Sequence, residues 1–155
     1  MSIPNKFLLS DLLNHNVRCD LGIDHGPGFS AWMYPPVHRL LGWTSKPSNF
    51  SLKREVWRLN QLKGVATQDV FVKGEPSSSD QSMLERFPTL INADIFNKSG
   101  ERLGLIADFV FEPQTGRILY YLVSRSNPKI PGTSRWRLSI SLIVDQNPGS
   151  VFCNC

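Results

Sequence analysis

Cysteine is scarce in this sequence, and long apolar runs are absent from it. The three cysteines are Cys19, Cys153 and Cys155, and an odd count with two of them near the end is not typical of a secreted disulfide framework. No apolar run reaches the roughly 18 residues that span a bilayer, and the amino end carries no cleavage motif of a signal peptide. These absences predict a cytoplasmic chain without a transmembrane segment.

Acidic residues are missing from two long stretches, 25–54 and 113–144, although lysine and arginine occur in both. The segment between them, residues 69–112, holds eight of the thirteen acids. The chain of 155 residues has a formal net charge of +4, a bias that permits anionic partners without requiring them. A hydrophobic content of 41% predicts a folded core and excludes a disordered chain.

The motifs of common catalytic and metal sites are also missing. His25 follows Asp24, but adjacent side chains of an extended chain face apart and no nucleophile stands beside them in the sequence, so we expect a turn with a surface histidine there. Five residues could supply zinc ligands: Cys19, His25, His38, Cys153 and Cys155. Their spacing fits no zinc motif, and no glycine-rich phosphate loop is present. We therefore expect no catalytic residue, no metal and no cofactor.

Apolar runs separated by turn residues predict a mostly β chain. The strands expected in the first half are residues 12–19, 56–59 and 69–73, and those in the second half are residues 90–96, 103–111, 118–123, 136–143 and 151–153. Gly104 lies inside one of these strands, where glycine marks a bend or bulge. Pro113 and Gly116 favour a tight hairpin after it.

Three short sequences recur in the same order in the two halves. Residues 12–14 match residues 90–92, residues 57–59 match residues 136–138, and residues 70–71 match residues 151–152. The offsets are 78, 79 and 81, which is nearly constant. We predict two copies of one unit, residues 1–76 and 77–155, that meet at a polar segment rich in proline and serine.

The hairpin of the second half carries a family resemblance. Its residues are spaced as G-x-x-L-G-x-I-x-D-F-x-x-E-x-x-T-G-R-I, from Gly100 to Ile118. This pattern resembles the PRC-barrel family, which includes the cytoplasmic domain of the photosynthetic reaction centre H subunit and the C-terminal domain of ribosome maturation factors. The whole chain is similar to two-copy members from oxygenic phototrophs.

The resemblance implies two tandem small β-barrels and a non-catalytic role in docking on large assemblies. Because the family has no shared catalytic residues, Asp108 is expected to be structural. The first copy lacks the G-x-x-L-G-x-I-x-D run. We therefore expect a modified first barrel, in which an aromatic and proline-rich segment, residues 20–51, takes the place of the hairpin.

Residues 29–43 are dense in the aromatic and methionine side chains that are enriched at interfaces. Pro35 and Pro36 stiffen this segment, and one or two helical turns are expected after them. The segment either fills the modified barrel or docks on a partner. Its predicted partner-binding residues are Trp32, Tyr34, His38, Arg39 and Trp43.

A second candidate surface is the acid-free loop of residues 127–135. It is either a solvated loop or a site that offers cations to an acidic partner or a phosphate. The cations concerned are Lys129, Arg135 and, just beyond the loop, Arg137. Trp57 and Trp136, which each open a strand, are expected to close the two barrel cores, or else to anchor an interface.

These features together predict a non-enzymatic adaptor or assembly factor that docks on a large protein complex. The resemblance suggests a photosynthetic complex, and a location in the cytoplasm or at the surface of the thylakoid membrane. The alternative is an RNA- or ribosome-associated maturation protein, in which the basic tracts and exposed aromatic side chains bind RNA.

Overall fold

The structure, a computed structural model, describes residues 2–47, 54–77, 86–125 and 135–155. It begins with β1 (Phe7–Leu8) and a short helix, α1 (Leu9–Asn14). The first sheet contains β2 (Asn16–Arg18), β3 (Asp24–Tyr34), β4 (Arg39–Ser45), β5 (Glu55–Arg58), β6 (Leu62–Val65) and β7 (Asp69–Val72). The second contains β1 and six further strands, β8 (Asp94–Phe96), β9 (Arg102–Phe111), β10 (Ile118–Ser124), β11 (Arg135–Ser139), β12 (Ile143–Asn147) and β13 (Ser150–Cys153).

The two sheets follow the same strand order. The first runs β5-β4-β3-β2-β7-β6 and the second β11-β10-β9-β8-β13-β12. Each has one parallel pair, β2 with β7 and β8 with β13. In each unit a 3-10 turn also precedes the fifth strand along the chain, Leu59–Gln61 before β6 and Ile140–Leu142 before β12. The predicted fold class is therefore confirmed: the chain is mostly β, with two barrel-like units in tandem.

The first unit contains a hairpin, although we expected the first unit to lack one. β3 pairs with β4 in antiparallel register, with Tyr34 opposite Arg39. A 3-10 turn, Pro35–Val37, and then His38 join the strands. His38 has a left-handed backbone with φ 47°, and its counterpart 78 residues later, Gly116, has φ 81°. The prediction that residues 20–51 replace the hairpin is wrong, because the segment keeps the backbone of the hairpin and changes only its side chains.

The bend at Gly104 also has a counterpart, Gly26, at the same offset of 78. Both glycines have positive φ, 150° and 82°. A Cβ on Gly104 would lie 2.3 Å from the carbonyl oxygen of Ser124, and one on Gly26 would lie 2.1 Å from that of Lys46. In both units this strand therefore bends so closely over its hairpin partner that only glycine fits.

Two other sequence expectations differ from the structure. Residues 12–19, predicted as one strand, form the end of α1 and then β2, because Leu9 and Leu12 lie three residues apart and are both buried. Residues 57–59 match residues 136–138 in sequence, but the strand pairing places the counterpart of Trp57 two residues later, at Leu138. Trp57 pairs with Trp43, and the residue that pairs with Tyr121, the counterpart of Trp43, is Leu138.

The segment before each unit pairs with the hairpin of the other unit. Phe7 and Leu8 of β1 lie opposite Phe111 and Val110 of β9. In the same way, the amide of Met33 in β3 donates a hydrogen bond of 3.0 Å to the carbonyl of Phe87. The predicted boundary between residues 76 and 77 borders residues 78–85, which lie outside the described part, and it stays a prediction.

The two hairpins also meet directly. Leu40 donates its amide to the carbonyl of Gly116 at 2.7 Å, and Ile118 donates to that of His38 at 2.9 Å. The two hydrogen bonds are equivalent, because their donors and their acceptors are each 78 residues apart in the two units. An approximate two-fold axis therefore passes between Arg39 and Arg117, which form an isolated antiparallel bridge. One buried apolar cluster contains side chains from both units.

Candidate functional site

The residues predicted to bind a partner divide into a buried group and an exposed group. Trp32, His38 and Trp43 are buried, so they are core side chains, although Trp32 also lines a cavity. Tyr34 and Arg39 are exposed, and so are Arg135 and Arg137 on β11. Lys129 and most of the loop 127–135 lie outside the described residues.

The buried members hold the two hairpins together. Nδ1 of His38 lies 2.9 Å from the hydroxyl of Tyr121 in the other unit, and the two rings meet edge to face. Burial lowers the pKa of His38 and raises that of Tyr121, so both side chains are neutral at pH 7. This contact joins the two units, and the Tyr121 hydroxyl also donates to Sδ of Met33, which indicates a structural role.

Trp57 and Trp136 have different environments. Trp57 is fully buried, and its Nε1 donates a hydrogen bond of 2.9 Å to Oγ of Ser45. Trp136 is half-buried at the end of β11, opposite Val123. Trp57 therefore has the predicted core role, whereas Trp136 lies two residues before the corresponding position.

Two arginines line a cavity of about 290 Å³ beside the hairpin junction, which we call the arginine cavity. Arg39 and Arg58 project from β4 and β5, and Trp32 and Leu59 form part of the apolar wall. Asn60, Gln114 and Thr115 are the other polar lining residues. No carboxylate lines the cavity, and neither arginine has an ion pair among the described residues. The cavity thus offers two uncompensated guanidinium groups.

The two-fold axis relates this cavity to a second one, which has different chemistry. The second cavity is lined by Val37, Arg117 and Ile140, together with Ile118 and Leu119. Here the arginine is neutralised, because Nε of Arg117 lies 2.7 Å from Oε1 of Glu112. At positions related by the axis, the two units therefore present one cavity with arginines that are unpaired in the described ranges and one cavity whose arginine is paired with a carboxylate.

Exposed apolar side chains occur on the turn of the first hairpin and on residues 142–144, a segment that leads into β12 beside the turn, and we call them the apolar patch. They are Tyr34 (44% exposed), Val37 (57%), Leu142 (37%) and Val144 (61%). Nε2 of Gln146 donates a hydrogen bond of 2.6 Å to the carbonyl of Pro35, which holds β12 beside the turn. Since β12 is an edge strand, the patch lies where another chain could approach.

One of the two exposed arginines of β11, Arg137, contacts an aromatic ring. The guanidinium of Arg137 lies over the ring of Tyr120, 4.5 Å from its centroid. This cation–π contact leaves the charge open to solvent on an edge strand. Neither Arg135 nor Arg137 lines the arginine cavity.

Sequence reasoning missed one cluster of reactive side chains. His25 contacts a carboxylate, but it is Glu55 of β5 and not the adjacent Asp24, and Cys19 lines the same cavity as His25. His25 is mostly buried and is not the surface residue that was expected. Pairing of β3, β4 and β5 brings these residues together, and no local spacing in the sequence signals it.

The other candidate ligands do not gather. Cys153 and Cys155 are joined by a disulfide. In the described ranges, no group of three or more His, Cys, Asp or Glu side chains is arranged to hold a metal ion. The same ranges contain no helix with the length and apolar character needed to cross a membrane.

Comparison with known proteins identifies the second unit. Residues 84–145 match the model of the family described as PRC-barrel domain, and no curated protein matches the chain. The matched segment contains the whole β9–β10 hairpin with its Gly104 bend. PRC-barrel domains are interaction or assembly modules. Residues 84–145 are therefore similar to the PRC-barrel family, as the sequence resemblance predicted.

Proposed function

We propose that this protein is a non-enzymatic adaptor that docks on a large protein complex through the arginine cavity and the apolar patch. The observation that carries the proposal is the pair of arginines, Arg39 and Arg58, in a concave site without a carboxylate. A guanidinium binds a carboxylate through two parallel hydrogen bonds. The cavity therefore suits an acidic side chain of a protein partner.

The apolar patch adjoins this cavity. Tyr34 of the patch lies directly opposite Arg39 of the cavity across the first hairpin. An apolar area next to a charged pocket is the usual composition of a transient protein interface, in which the apolar side chains supply binding energy and the charges supply orientation. Both parts therefore fit one partner surface, acidic at one point and apolar beside it.

A protein partner fits these surfaces better than RNA does. Single-stranded RNA is bound by exposed aromatic rings that stack on bases, but of the aromatic residues predicted to bind a partner, Trp32 and Trp43 are buried and Tyr34 alone is exposed. The exposed side chains of the patch are mainly aliphatic, as in Val37 and Val144. Aliphatic groups pack against a protein surface and do not stack on bases.

We further propose that the complex belongs to the photosynthetic membrane and that the adaptor binds it from the cytoplasmic side of the thylakoid. The support is the similarity of the sequence to two-copy family members of oxygenic phototrophs. Fractionation of cells that express a tagged copy tests this part. Recovery of the protein away from thylakoid membranes, at both low and high salt, would reject it.

The docking surface is tested with matched substitutions in the tagged protein. We expect Arg39→Gln/Arg58→Gln to reduce recovery of the co-purifying complex about tenfold, since a lost charge-assisted hydrogen bond costs roughly 1.5–3 kcal/mol. Val37→Asp should act similarly through the patch. The control is Arg102→Gln, which removes an exposed arginine that is already paired with Asp94 and lines neither the arginine cavity nor the cavity beside Val37.

Three results would contradict the proposal. Equal recovery with the double variant and the control would exclude the arginine cavity. Equal recovery with Val37→Asp and wild type would exclude the patch. Release of the partners by nuclease, with a steep dependence of binding on salt, would assign the surface to RNA.

A further inference from the structure

Cys19, His25 and Glu55 meet at one end of the first sheet. Nδ1 of His25 lies 2.6 Å from Oε2 of Glu55, and the edge of its ring packs on Trp57, with 5.0 Å between the centroids. The other ring nitrogen, Nε2, is buried and has no hydrogen-bond partner. A carboxylate therefore orients an imidazole whose second nitrogen is left for another group.

The backbone places Cys19 beside His25, and both residues line one cavity. Cys19 donates its amide to the carbonyl of Ile23 at 3.2 Å and accepts from Gly22 at 2.9 Å. It thus lies opposite Ile23, and His25, two residues further along β3, is its diagonal neighbour on the same face of the sheet. A cysteine, a histidine and a carboxylate in this order are the components of an activated thiol.

The charges of the two groups are coupled. The interaction with His25 lowers the pKa of the Cys19 thiol, and desolvation opposes this effect without cancelling it. Burial lowers the pKa of His25, but the interactions with Cys19 and with the Glu55 charge outweigh burial, so the net shift is upward. Both shifts favour a thiolate beside an imidazolium.

Cys19 opens into a cavity of about 610 Å³. Leu21 and Ile23, both exposed, provide its apolar surface, and Asp20 and Glu75 its carboxylates. Of the cations near these residues, Lys63 lies 3.3 Å from Asp20, and Arg18, the residue before Cys19, is paired with Asp24 and Asp69. With Glu55 behind His25, the charged groups facing the site are mostly acidic, so the cavity favours a small ligand that carries a positive charge.

We propose that Cys19 is a redox-modification site that forms a reversible mixed disulfide with small disulfides bearing ammonium groups, such as cystamine or cystine. The Cys19 thiolate attacks one sulfur of the ligand, a new S–S bond forms, and the S–S bond of the ligand breaks. The departing thiolate takes its proton from the His25 imidazolium or from water. One disulfide is consumed and one is formed, so no further oxidant is needed.

This site goes beyond the proposed docking function. It lies at the start of β3, whereas the apolar patch and the arginine cavity lie at its other end. The nine residues from His25 to Tyr34 span up to about 30 Å in a strand. A docking variant can therefore fail without affecting the chemistry of Cys19, and the converse holds as well.

Disulfide-exchange kinetics on the full chain test the proposal, with intact-protein mass spectrometry as the readout. Cystamine and glutathione disulfide are each added between pH 6 and 9. Because Cys153 and Cys155 are joined to each other, the adduct reports Cys19, and Cys19→Ser should give none. At pH 6.5 we expect folded protein to react with cystamine about tenfold faster than urea-unfolded protein, since the thiolate fraction is larger.

The variants separate the roles of the neighbours. His25→Gln should slow the reaction about tenfold at pH 6.5 and little at pH 9, where every thiol is largely ionised. Glu55→Gln should have a smaller effect in the same direction, and His15→Gln, which alters a histidine outside the cluster, should have none. Cystamine should react faster than glutathione disulfide, and Glu75→Gln should narrow that difference.

Two results would overturn the proposal. Equal rates for folded and unfolded protein, or an unchanged pH profile in a folded His25→Gln variant, would show that Cys19 is an ordinary thiol. A faster reaction with glutathione disulfide than with cystamine would reject the assigned ligand class. Circular dichroism identifies any variant that fails to fold, and that variant is left out. The alkylation rates of the folded variants are then compared instead.

Discussion

His38 has a left-handed backbone conformation, and its counterpart in the second unit, Gly116, is a glycine. A left-handed backbone costs a residue with a Cβ roughly 1–2 kcal/mol, so a histidine there needs compensation. The buried contact between His38 and the hydroxyl of Tyr121 supplies it. The price of this arrangement is a titratable group in the junction of the two units.

This group makes stability dependent on pH. Because burial lowers the pKa of His38 in the folded protein, the unfolded chain binds a proton that the folded chain does not. Stability from this site is complete above the ordinary histidine pKa, about 6.5, and is lost as the pH falls below it. We predict that urea unfolding at pH 8 and pH 5.5 shows a smaller loss on acidification for His38→Gly than for wild type.

Tyr121→Phe is the matched control, since it removes the same contact but keeps the histidine. It should retain the acid sensitivity. His25, whose raised pKa acts in the opposite direction and stabilises the folded state at low pH, is present in all three proteins and cancels in the comparison. An identical pH response of His38→Gly and Tyr121→Phe would show that His38 is not the source of the acid sensitivity.

Asp108 shows what sequence could establish at this scale. Its expected structural role is confirmed: the side chain is buried and accepts hydrogen bonds from the amide and the hydroxyl of Ser10 in α1. Its partner, however, is 98 residues away in the chain. Residue spacing therefore indicated the role of Asp108, but it could not indicate that the first turn of α1 depends on a strand of the second unit.

The hairpins show the corresponding limit for elements. The β9–β10 hairpin was predicted because Gly104, Pro113 and Gly116 mark its bend and its turn. The β3–β4 hairpin was not, although Gly26 and Pro35 stand 78 residues earlier at two of these positions. His38 in place of Gly116 and the aromatic side chains concealed it. A comparison of glycine and proline positions alone, at the fixed offset, finds it.

The candidate site was predicted less completely than the fold. Composition identified residues 29–43, but it does not tell which of them reach solvent, because the strand register shifts between Trp32 and Met33 and strict alternation does not hold. Trp32, His38 and Trp43 face inward, whereas Tyr34 and Arg39 face outward. Arg58, the second arginine of the cavity, comes from another strand, and only the pairing of β4 with β5 brings it close.

If the two turns share one geometry, they can be exchanged. We predict that replacing residues 35–38 with Pro-Gln-Thr-Gly, the sequence of residues 113–116, leaves a folded protein. Its free energy of unfolding should lie within about 1.5 kcal/mol of wild type, in the range of ordinary substitutions. Urea unfolding monitored by circular dichroism measures this. Deletion of Val37 alone is the control, because a one-residue slip turns side chains to the wrong face of the sheet.

The deletion should abolish cooperative unfolding. A turn exchange that unfolds the protein as thoroughly as the deletion would show that the two turns are not equivalent. An exchange variant that folds but no longer recovers the partner complex would be consistent with the place of Val37 in the apolar patch.

At the scale of the whole molecule, the exchange of segments makes the two units depend on each other. β1 belongs to the first half and pairs with β9, while Phe87 belongs to the second half and pairs with β3. Separating the halves would therefore expose both strands and divide the common apolar cluster. The two units should behave as a single cooperative structure.

We predict one unfolding transition for the full chain, and no folded state for residues 1–76 or 77–155 alone at low micromolar concentration. Three of the four tryptophans, Trp32, Trp43 and Trp57, lie in the first unit, so fluorescence reports mainly that unit and circular dichroism reports both. Coincident urea transitions by the two probes are the expected result. Separate midpoints, or a folded fragment, would show that the units are independent domains.

The pairing of Phe87 with Met33 has a further consequence during protein synthesis. A chain is made from its amino end, and early domains ordinarily fold before later ones emerge from the ribosome. Here the end of β3 stays uncovered until residues 87 and 88 have left the exit tunnel, and an unpaired strand edge is a site of aggregation. The nascent first unit must therefore wait for the second, which makes translation through the middle of the chain the period when this protein most needs a chaperone.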